Sequence, residues 1–497
     1  APSDTKEQIQ VLVYVDEAHV LIKDAPANDY DKTYYDTFLS VFESFMNCPV
    51  FCVLASTTSL VSYSAPTQRL ARSTRAIPDG RPRPPITETP FDCCPDLHGR
   101  ANVYTVKDVA TLQFMSQFGR PWTLLQSVNK LAWDLLHTAM AKPVAQNIFC
   151  DPDVSQNGLI AVVDVRLCLQ YDTLRSSSRN IIAELVASHM RIAFSAPSHG
   201  EFICSGYPSE PMLAEARSFR SLLLRMERQR RWTTTVVIDI LQSCMFSGLL
   251  NPGEQEAITA RVLVTEAYDR AVLHDHSGEM GPLFSQGCSL ITFIKELFEA
   301  ENPAKILDSK PDNIRDGIPF REAFGGALLR FTHFVKAADD HVLCTDAMFA
   351  AFVRGMAYIC QDGQGSVGFI LPVLLDSTAL LSEQHMSGIF FKIKRRQRAG
   401  DHSITVEQLG FFPKRPAPLV PLRPYCTISM DLGVPTAFQS PSSGKAREKG
   451  ISEQGTIFDG PNSSAHPTSP ARSESAGRVR STIHARYSFG VQVNCPR

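Results

Sequence analysis

The stretch Val11-Leu12-Val13-Tyr14-Val15-Asp16-Glu17-Ala18-His19 decides the fold of the N-terminal part of the chain. Its apolar, mostly β-branched run predicts a buried strand that ends at two acidic side chains. Residues 34–45 carry apolar and aromatic side chains near helical spacing, and residues 50–54 form a second apolar run. The order strand, helix, strand, with a polar end on each strand, indicates an α/β unit with parallel strand pairing.

Asp16 and Glu17 stand where nucleotide hydrolases carry their acidic residues. One carboxylate at the C-terminal end of such a strand holds Mg²⁺, and its neighbour orients or deprotonates the attacking water. Asp16 is therefore the candidate metal-binding and nucleotide-binding residue, and Glu17 is the candidate catalytic residue. Thr57 follows the second strand, at a position where ATPases use a polar residue to sense the γ-phosphate. The alternatives are two solvated acids and an ordinary transition from strand to loop.

A phosphate loop of the form G-x-x-x-x-G-K-[ST] does not occur in the 497 residues. Such a loop supplies the backbone amides and the lysine that hold the nucleotide phosphates. It would lie upstream of Asp16, which only 15 residues precede. We therefore expect the chain to be a fragment or to hold an incomplete ATPase half, and to hydrolyse ATP negligibly as given.

Composition excludes several classes of protein. Lysine plus arginine total 49 and aspartate plus glutamate total 51, so the chain has no general basic field for nucleic acid and such a site must be local. Hydrophobic residues make up 44% of the chain, yet no apolar run approaches the ~20 residues of a transmembrane helix. The 13 cysteines include no Cys-x-x-Cys pair, which favours reduced thiols in an intracellular protein, cytoplasmic or nuclear, with no membrane partner.

The pattern of apolar residues and turns predicts four regions. Residues 1–145 form the α/β unit, residues 146–250 are dominated by helices, and residues 251–435 form a second α/β domain. Serine and proline accumulate towards the C-terminus, so residues 436–497 are expected to be a disordered tail.

Five segments resemble a protein family that is expanded in basidiomycete genomes. They are VLVYVDEAHVL (11–21), PFD (90–92), QFGRPW (117–122), ELVASHMRIAFS (184–195) and SGYPSEPMLAEA (205–216). The family is similar to the Crinkler-type architecture, in which a P-loop NTPase is joined to a restriction-endonuclease-like domain. The resemblance covers roughly residues 8–435. It implies an AAA-like or STAND-like core that uses ATP and Mg²⁺, with Asp16 and Glu17 in its second nucleotide-binding motif.

The resemblance also implies a nuclease-like site near residues 365–394. Such nucleases use an aspartate on one strand, and an acid or glutamine two residues before a lysine on the next; the acids hold a divalent metal. Lys394 takes the place of the catalytic lysine, but Lys392 and Gly368 stand at the two metal-binding positions. We therefore expect a nuclease-like fold without metal-dependent cleavage, with Asp376 as the one nearby acid that could compensate.

Basic residues follow the same strand and could contact nucleic-acid phosphates; they are Lys392, Lys394, Arg395 and Arg396. A solvated basic strand end is the alternative.

The leading hypothesis is a Crinkler-like or mobile-element-derived protein, ancestrally an ATPase and nuclease and now impaired in both activities. The alternative is a non-enzymatic interaction or regulatory protein that uses the nucleotide-binding scaffold as a switch or as a platform for a homo-oligomer. A DEAH-type helicase would rest on residues 16–19 alone.

Overall fold

The computed structural model describes sixteen ranges of the chain. They are residues 9–18, 20–23, 34–45, 48–55, 91–92, 101–120, 156–195, 204–218, 233–278, 284–298, 302–361, 367–395, 404–413, 422–432, 456–459 and 484–493.

The N-terminal unit consists of β1 (Val11–Val15), α1 (Val20–Lys23), α2 (Tyr34–Glu43) and β2 (Val50–Leu54). The strands pair in parallel, from Val11 opposite Val50 to Val15 opposite Leu54, which confirms the predicted pairing. The prediction of a buried strand is wrong, because Leu12 is 64% exposed and Tyr14 is 62% exposed. Within the described ranges β1 pairs with β2 alone, and three of its five side chains are exposed while none is fully buried.

A nine-stranded mixed sheet forms the centre of the larger part of the protein, with strand order β12-β13-β11-β10-β9-β6-β5 and with β8 joining β7 to β9. Its strands are β5 (Cys288–Ser289), β6 (Leu328–Leu329), β7 (His333–Lys336), β8 (Met356–Ile359), β9 (Phe369–Leu374), β10 (Met386–Arg395), β11 (Tyr425–Leu432), β12 (Thr456–Asp459) and β13 (Arg486–Val493). The apolar runs of residues 367–375 and 387–394 predict two strands joined by a loop, and they form the antiparallel pair β9 and β10. The architecture is therefore mixed α/β.

Both faces of this sheet are buried, which explains why β9 is apolar throughout. Phe369 and Leu371 point into one hydrophobic core, and Ile370 and Leu374 point into the other. This is the two-residue alternation of a strand covered on both sides. Pro372 is tolerated in the middle of the sheet because β8 pairs with the start of β9 and β6 with its end, so no ladder bond on that side needs its missing N–H.

Helices form the two covering layers. The first core lies under α8 (Gln255–Asp275) and α9 (Leu290–Leu297), and the second lies under α12 (Thr345–Arg354). The remaining helices beside the sheet are α3 (Val106–Val109), α4 (Leu112–Met115), α10 (Asn302–Leu307), α11 (Phe320–Ala323) and α13 (Val406–Leu409). Val109, Phe114 and Phe118 belong to the second core, so residues 101–120 pack against the large sheet.

A third core holds the region that was predicted to be helical. Its helices are α5 (Gln156–Leu167), α6 (Ser176–Ser188) and α7 (Thr233–Phe246), and residues 211–218 are also helical. The antiparallel hairpin of β3 (Ile192–Ser195) and β4 (Cys204–Gly206) lies between them in sequence. The apolar spacing of residues 181–193 predicts one helix, but α6 ends at Ser188 and Met190 adopts a left-handed φ of 64°.

The prediction of a disordered tail is wrong for residues 486–493. This segment forms β13, which pairs in parallel with β11 and buries Tyr487 and Phe489 in the first core. Its alternating apolar residues give it a face to bury despite the serine- and proline-rich sequence around it. Among the helices that the structure describes, none is long and apolar enough to cross a membrane.

Arg330 connects α3, α12 and the segment that contains Ser285 from inside the protein. Its fully buried guanidinium donates to the carbonyl oxygens of Ser285 at 2.6 Å, Val109 at 2.9 Å and Val353 at 3.0 Å, and also to that of Phe352. The last two carbonyls belong to the C-terminal turn of α12, where a positive charge is favourable. Burial lowers the pKa of Arg330 to about 10, so the guanidinium stays protonated at neutral pH.

We expect Arg330→Met to lower the free energy of unfolding by roughly 3 kcal/mol, because four buried carbonyl groups lose their donor. Arg330→Lys, which keeps the charge but cannot span the four acceptors, should show a smaller loss. Arg321→Met is the control: Arg321 is 54% exposed and pairs with Asp308 at the surface, so its loss should stay within about 0.5 kcal/mol. Urea unfolding followed by circular dichroism measures all three, and equal midpoints for Arg330→Met and the control would contradict the assignment.

Candidate functional site

The two acids of the predicted nucleotide-hydrolase motif directly follow β1. Asp16 Oδ1 accepts a hydrogen bond of 2.9 Å from the backbone N–H of Glu17, which has a left-handed φ of 51°. The backbone N–H of Ala18 donates to Ala55, so the turn with the acids sits beside the end of β2 as predicted. Thr57, the candidate γ-phosphate sensor, lies outside the described residues. Asp16 and Glu17 are both exposed, and their roles stay predictions.

Lys394 lies at the exposed end of β10, with Gly368 close to the same strand. The backbone N–H of Gly368 donates to Phe391 at 2.7 Å, and a Cβ on Gly368 would lie 3.2 Å from Ile393. The two positions at which a nuclease of this type carries acids are therefore neighbours in space and hold Gly368 and Lys392. The side chain of Arg395 and the whole of Arg396 lie outside the described part of the chain.

Asp376 cannot compensate for the missing acids. Leu374 pairs with Met386 at the start of β10, which is about 27 Å from Lys394 at the usual rise per residue, and Asp376 lies beyond Leu374 at that same end. Asp376 instead accepts hydrogen bonds of 2.9 Å and 2.6 Å from the backbone N–H and the hydroxyl of Thr378. Both bonds lower the pKa of Asp376, which keeps its carboxyl ionised.

The acid that does lie beside Lys394 is Asp431, which the sequence analysis missed. Asp431 is buried on β11, in register with Lys394, while Ser429 is in register with Lys392. A single charged residue inside an otherwise uncharged strand was the available signal. Within the described ranges, no group of three or more His, Cys, Asp or Glu side chains is arranged to hold a metal ion. The residues present here thus offer one carboxylate against two lysines, a poor fit for Mg²⁺.

Three of the family-like segments meet elsewhere, at Arg354 on the last turn of α12. The guanidinium binds Asp92 through two bonds of 2.6 Å and 3.0 Å and donates to the hydroxyl of Ser209 at 3.1 Å. Asp92 also accepts a 2.9 Å bond from the backbone N–H of Gly119. PFD, QFGRPW and SGYPSEP are therefore joined by one buried charge-assisted network.

Glu210 is the most unusual member of this cluster. Its carboxylate is 3.3 Å from Arg120 Nε and almost entirely buried. Burial raises the pKa of Glu210 to about 7, although Arg120 and then Arg354 oppose the rise.

Gly119 has a left-handed φ of 87°, and a Cβ there would lie 2.6 Å from Glu210 Cγ. Only glycine suits that position, which gives QFGRPW a structural reason for its central residue.

Ser209 and His333 form a pair that resembles a nucleophile with its base. The Thr332 hydroxyl donates to Gly355, so it accepts from His333 Nδ1, and His333 Nε2 then accepts from the Ser209 hydroxyl at 2.9 Å. Burial, and then Arg354, Arg166 and Arg330, lower the pKa of His333 to about 3. An imidazole of that pKa is a weak base near neutral pH, so the pair is better suited to fixing the strand than to activating a serine.

A second buried network lies across from the first. Arg191 binds Asp164, donates to the Ser205 hydroxyl at 2.9 Å, and has its guanidinium 4.9 Å from the centre of the Tyr171 ring. Tyr171 donates to Asp164 at 2.9 Å. Tyr207, for which the sequence suggested no role, donates to the backbone carbonyl of His189 at 2.8 Å. The bond ties the β4 end to the end of α6.

Both networks border one cavity of about 710 Å³, whose lining includes Asp92, Ser209 and Arg354 from the first network and Asp164, Arg191 and Tyr171 from the second. Its size suits a small-molecule ligand. Arg354, His333 and Asp164 were not predicted from the sequence. A usable signal existed for Asp164, because a charged residue within the apolar helix Gln156–Leu167 must find a partner when that helix is buried.

No family model, no curated protein and no solved structure matches this chain in the three comparisons made with known proteins.

The raised pKa of Glu210 predicts a specific pH dependence of stability. Between its reference value of 4.5 and about 7, the folded state binds the carboxyl proton and the unfolded state does not, so stability falls as pH rises through this window. Glu210→Gln is neutral throughout. The unfolding free energy of the wild type relative to this variant should therefore fall by roughly 3 kcal/mol from about pH 4 to about pH 8.

Chemical denaturation at several pH values tests this dependence. Glu322→Gln, which removes an exposed carboxylate, is the matched control and should show little change relative to the wild type. A pH-independent difference between the wild type and Glu210→Gln would show that Glu210 does not hold its proton in the folded state.

Proposed function

We propose that this chain is a Crinkler-like protein that acts by binding rather than by catalysis, as an interaction or regulatory protein on a scaffold derived from an NTPase and a nuclease. The observation that carries the proposal is the convergence of PFD, QFGRPW and SGYPSEP on Arg354 and the cavity beside it. Residues of PFD and SGYPSEP thus line a ligand-sized cavity, and the lining includes neither Glu17 nor Lys394.

The chemistry at the nuclease-like position supports the same proposal. Lys392 places an ammonium where a metal-binding acid is expected, and Gly368 supplies no side chain. Two like charges within a few ångströms oppose each other by several kcal/mol at an effective dielectric of about 20, so Lys392 would repel Mg²⁺. Asp431 alone would have to offset this repulsion.

ATP hydrolysis is the second candidate function, and the parallel pairing of β1 and β2 favours it. The pairing puts Asp16 and Glu17 at the C-terminal end of a parallel strand, where nucleotide hydrolases hold Mg²⁺. In this proposal ATP and Mg²⁺ are the cofactors, Asp16 binds the metal and Glu17 acts on water. No segment of the sequence supplies the phosphate loop that would bind the nucleotide.

We expect the full chain to show neither ATP hydrolysis nor cleavage of DNA or RNA above background in Mg²⁺ or Mn²⁺. Steady phosphate release that disappears in Glu17→Gln would contradict the binding proposal in favour of the ATPase. Metal-dependent cleavage that disappears in both Lys394→Ala and Asp431→Asn would contradict it in favour of a nuclease, and would identify Asp431 as the replacement ligand. Lys310→Ala, a change of an exposed lysine on another segment, is the control.

Nucleic acid stays a proposed partner through Lys392, Lys394, Arg395 and Arg396. Lys392 and Lys394 are two residues apart on β10 and so share one face of the strand. If this end of β10 binds phosphates, the double variant Lys392→Ala and Lys394→Ala should weaken binding to single-stranded DNA and lower the salt dependence by about two ions. Fluorescence anisotropy at several salt concentrations measures both the affinity and its salt dependence, and an unchanged slope would exclude this surface as the binding site for nucleic acid.

Self-association of the chain into a homo-oligomer likewise stays a proposal.

A further inference from the structure

The cavity that borders the two arginine networks has two ion pairs in its wall. Arg191 Nη1 lies 2.5 Å from Asp164 Oδ2, and Arg354 Nη1 lies 2.6 Å from Asp92 Oδ2. All four side chains line the cavity. Because each pair joins one cation to one anion, the charges within it cancel.

The hydrogen bonds of the pair on α5 leave little for a ligand ion to gain. Asp164 also accepts from the backbone N–H of Leu169 at 2.7 Å and from the Tyr171 hydroxyl at 2.9 Å. Arg191 also donates to the hydroxyl and the carbonyl of Ser205, at 2.9 Å and 2.7 Å. An ion that bound either group would therefore compete with bonds that the protein already makes.

Lys336 brings the fifth charge of the lining, and it lies at the exposed end of β7. Its ammonium donates to Gln170 Oε1 at 2.6 Å. Water and salt screen a charge at an exposed position, so its attraction for a ligand anion is weak.

Much of the remaining wall is apolar and of low polarity. Leu169, Ile182 and Met356 are buried residues of this wall. Burial raises the pKa of Tyr358, another lining residue, to about 12, because a phenolate there would lose its contact with water. An ionic ligand would lose its water in the same way without gaining a new counter-charge. The wall therefore favours a neutral ligand.

Gln170 adds one polar group that can orient such a ligand. Because an ammonium cannot accept, the side-chain carbonyl of Gln170 must face Lys336. The amide nitrogen is then a buried donor, with no hydrogen-bond partner among the residues that the structure describes. A buried donor without a partner costs free energy, which an acceptor atom on a ligand would recover.

We propose that this cavity binds a neutral, largely apolar ligand with one hydrogen-bond acceptor, of the class of aromatic ketones, with the acceptor at Gln170 Nε2 and the rings against the apolar wall. The inference rests on the proposed binding function and names its ligand class. The cavity volume of about 710 Å³ is sufficient for a ligand of two or more fused rings.

A fluorescent aromatic ketone tests the proposal on the full chain. The reporter is 6-propionyl-2-(dimethylamino)naphthalene, which is neutral and whose emission moves to shorter wavelength when it leaves water. We expect a saturable shift of this kind as protein is added. Three competitors of similar size then displace the reporter: the ketone 2-acetylnaphthalene, the hydrocarbon 2-ethylnaphthalene and the anion 2-naphthoate. The anion should compete at least about tenfold more weakly than the ketone, because its carboxylate must lose water.

Gln170→Glu tests where the acceptor binds. The change keeps the oxygen that faces Lys336 and replaces the amide donor with an acceptor. It should weaken the ketone about tenfold relative to the hydrocarbon, because only the ketone loses a hydrogen bond. Gln384→Glu, the same change at an exposed position outside the lining, is the control and should leave that ratio unchanged.

Ala350→Phe tests whether the ligand occupies the cavity itself. Ala350 lines the cavity, so a phenyl ring there should fill the space and remove binding of the reporter and of both neutral competitors. Ala338→Phe, at an exposed position outside the lining, is the control. Thermal unfolding of each variant verifies that it is folded.

Three outcomes would overturn the inference: no shift of the reporter emission, an anion that competes as well as the ketone, or binding that is unchanged in Ala350→Phe. Equal weakening of ketone and hydrocarbon in Gln170→Glu would contradict the position of the acceptor. None of these results bears on the proposed absence of catalysis, which the hydrolysis and cleavage assays test separately. Conversely, Glu17-dependent ATP hydrolysis would contradict the proposed function while binding of the ketone in the cavity still stood.

Discussion

The burial of arginine side chains is the constraint on which the rest of this structure depends. A guanidinium removed from water must find acceptors for its five N–H groups, and in the interior these acceptors are few and fixed. Arg330 finds four backbone carbonyls, and Arg166 finds Asp269 and the carbonyl of Thr332. Each arginine thereby fixes the relative position of segments that lie far apart in sequence.

The same constraint explains where the family-like segments go. Arg354 and Asp92 are separated by 262 positions, yet their paired charges must be buried together or not at all. Gly119 and Ser209 are positioned by the same pair. The backbone N–H of Gly119 donates to Asp92, and the hydroxyl oxygen of Ser209 accepts from Arg354. A segment that resembles a family motif therefore need not indicate catalysis. Here it is accounted for by a charged cluster that the fold has to satisfy.

The sequence predicts the parts of the fold that are governed by local pattern. Apolar runs gave the parallel pairing of β1 with β2 and the hairpin of β9 with β10, because strand period and turn residues are local properties. It failed for β13, where composition hid an eight-residue strand that is stabilised by pairing with β11 and β12. It also failed for the cavity: Asp164 within an apolar helix signals that a partner is needed, but that the partner is Arg191 depends on the tertiary structure.

The residues of the candidate site also differ in whether local pattern or tertiary structure brings them together. Lys394, Lys392 and Gly368 could be placed together from sequence, since they lie on adjacent strands of one hairpin, but Asp431 comes from β11 and needed the sheet order. The cavity walls depend still more on tertiary structure. Because Arg354 and Arg191 are already paired there, a ligand need not order those side chains on binding, and this preorganisation reduces the entropy that binding costs. The buried arginines that hold the fold together thus also keep a ligand-sized space open with its walls fixed.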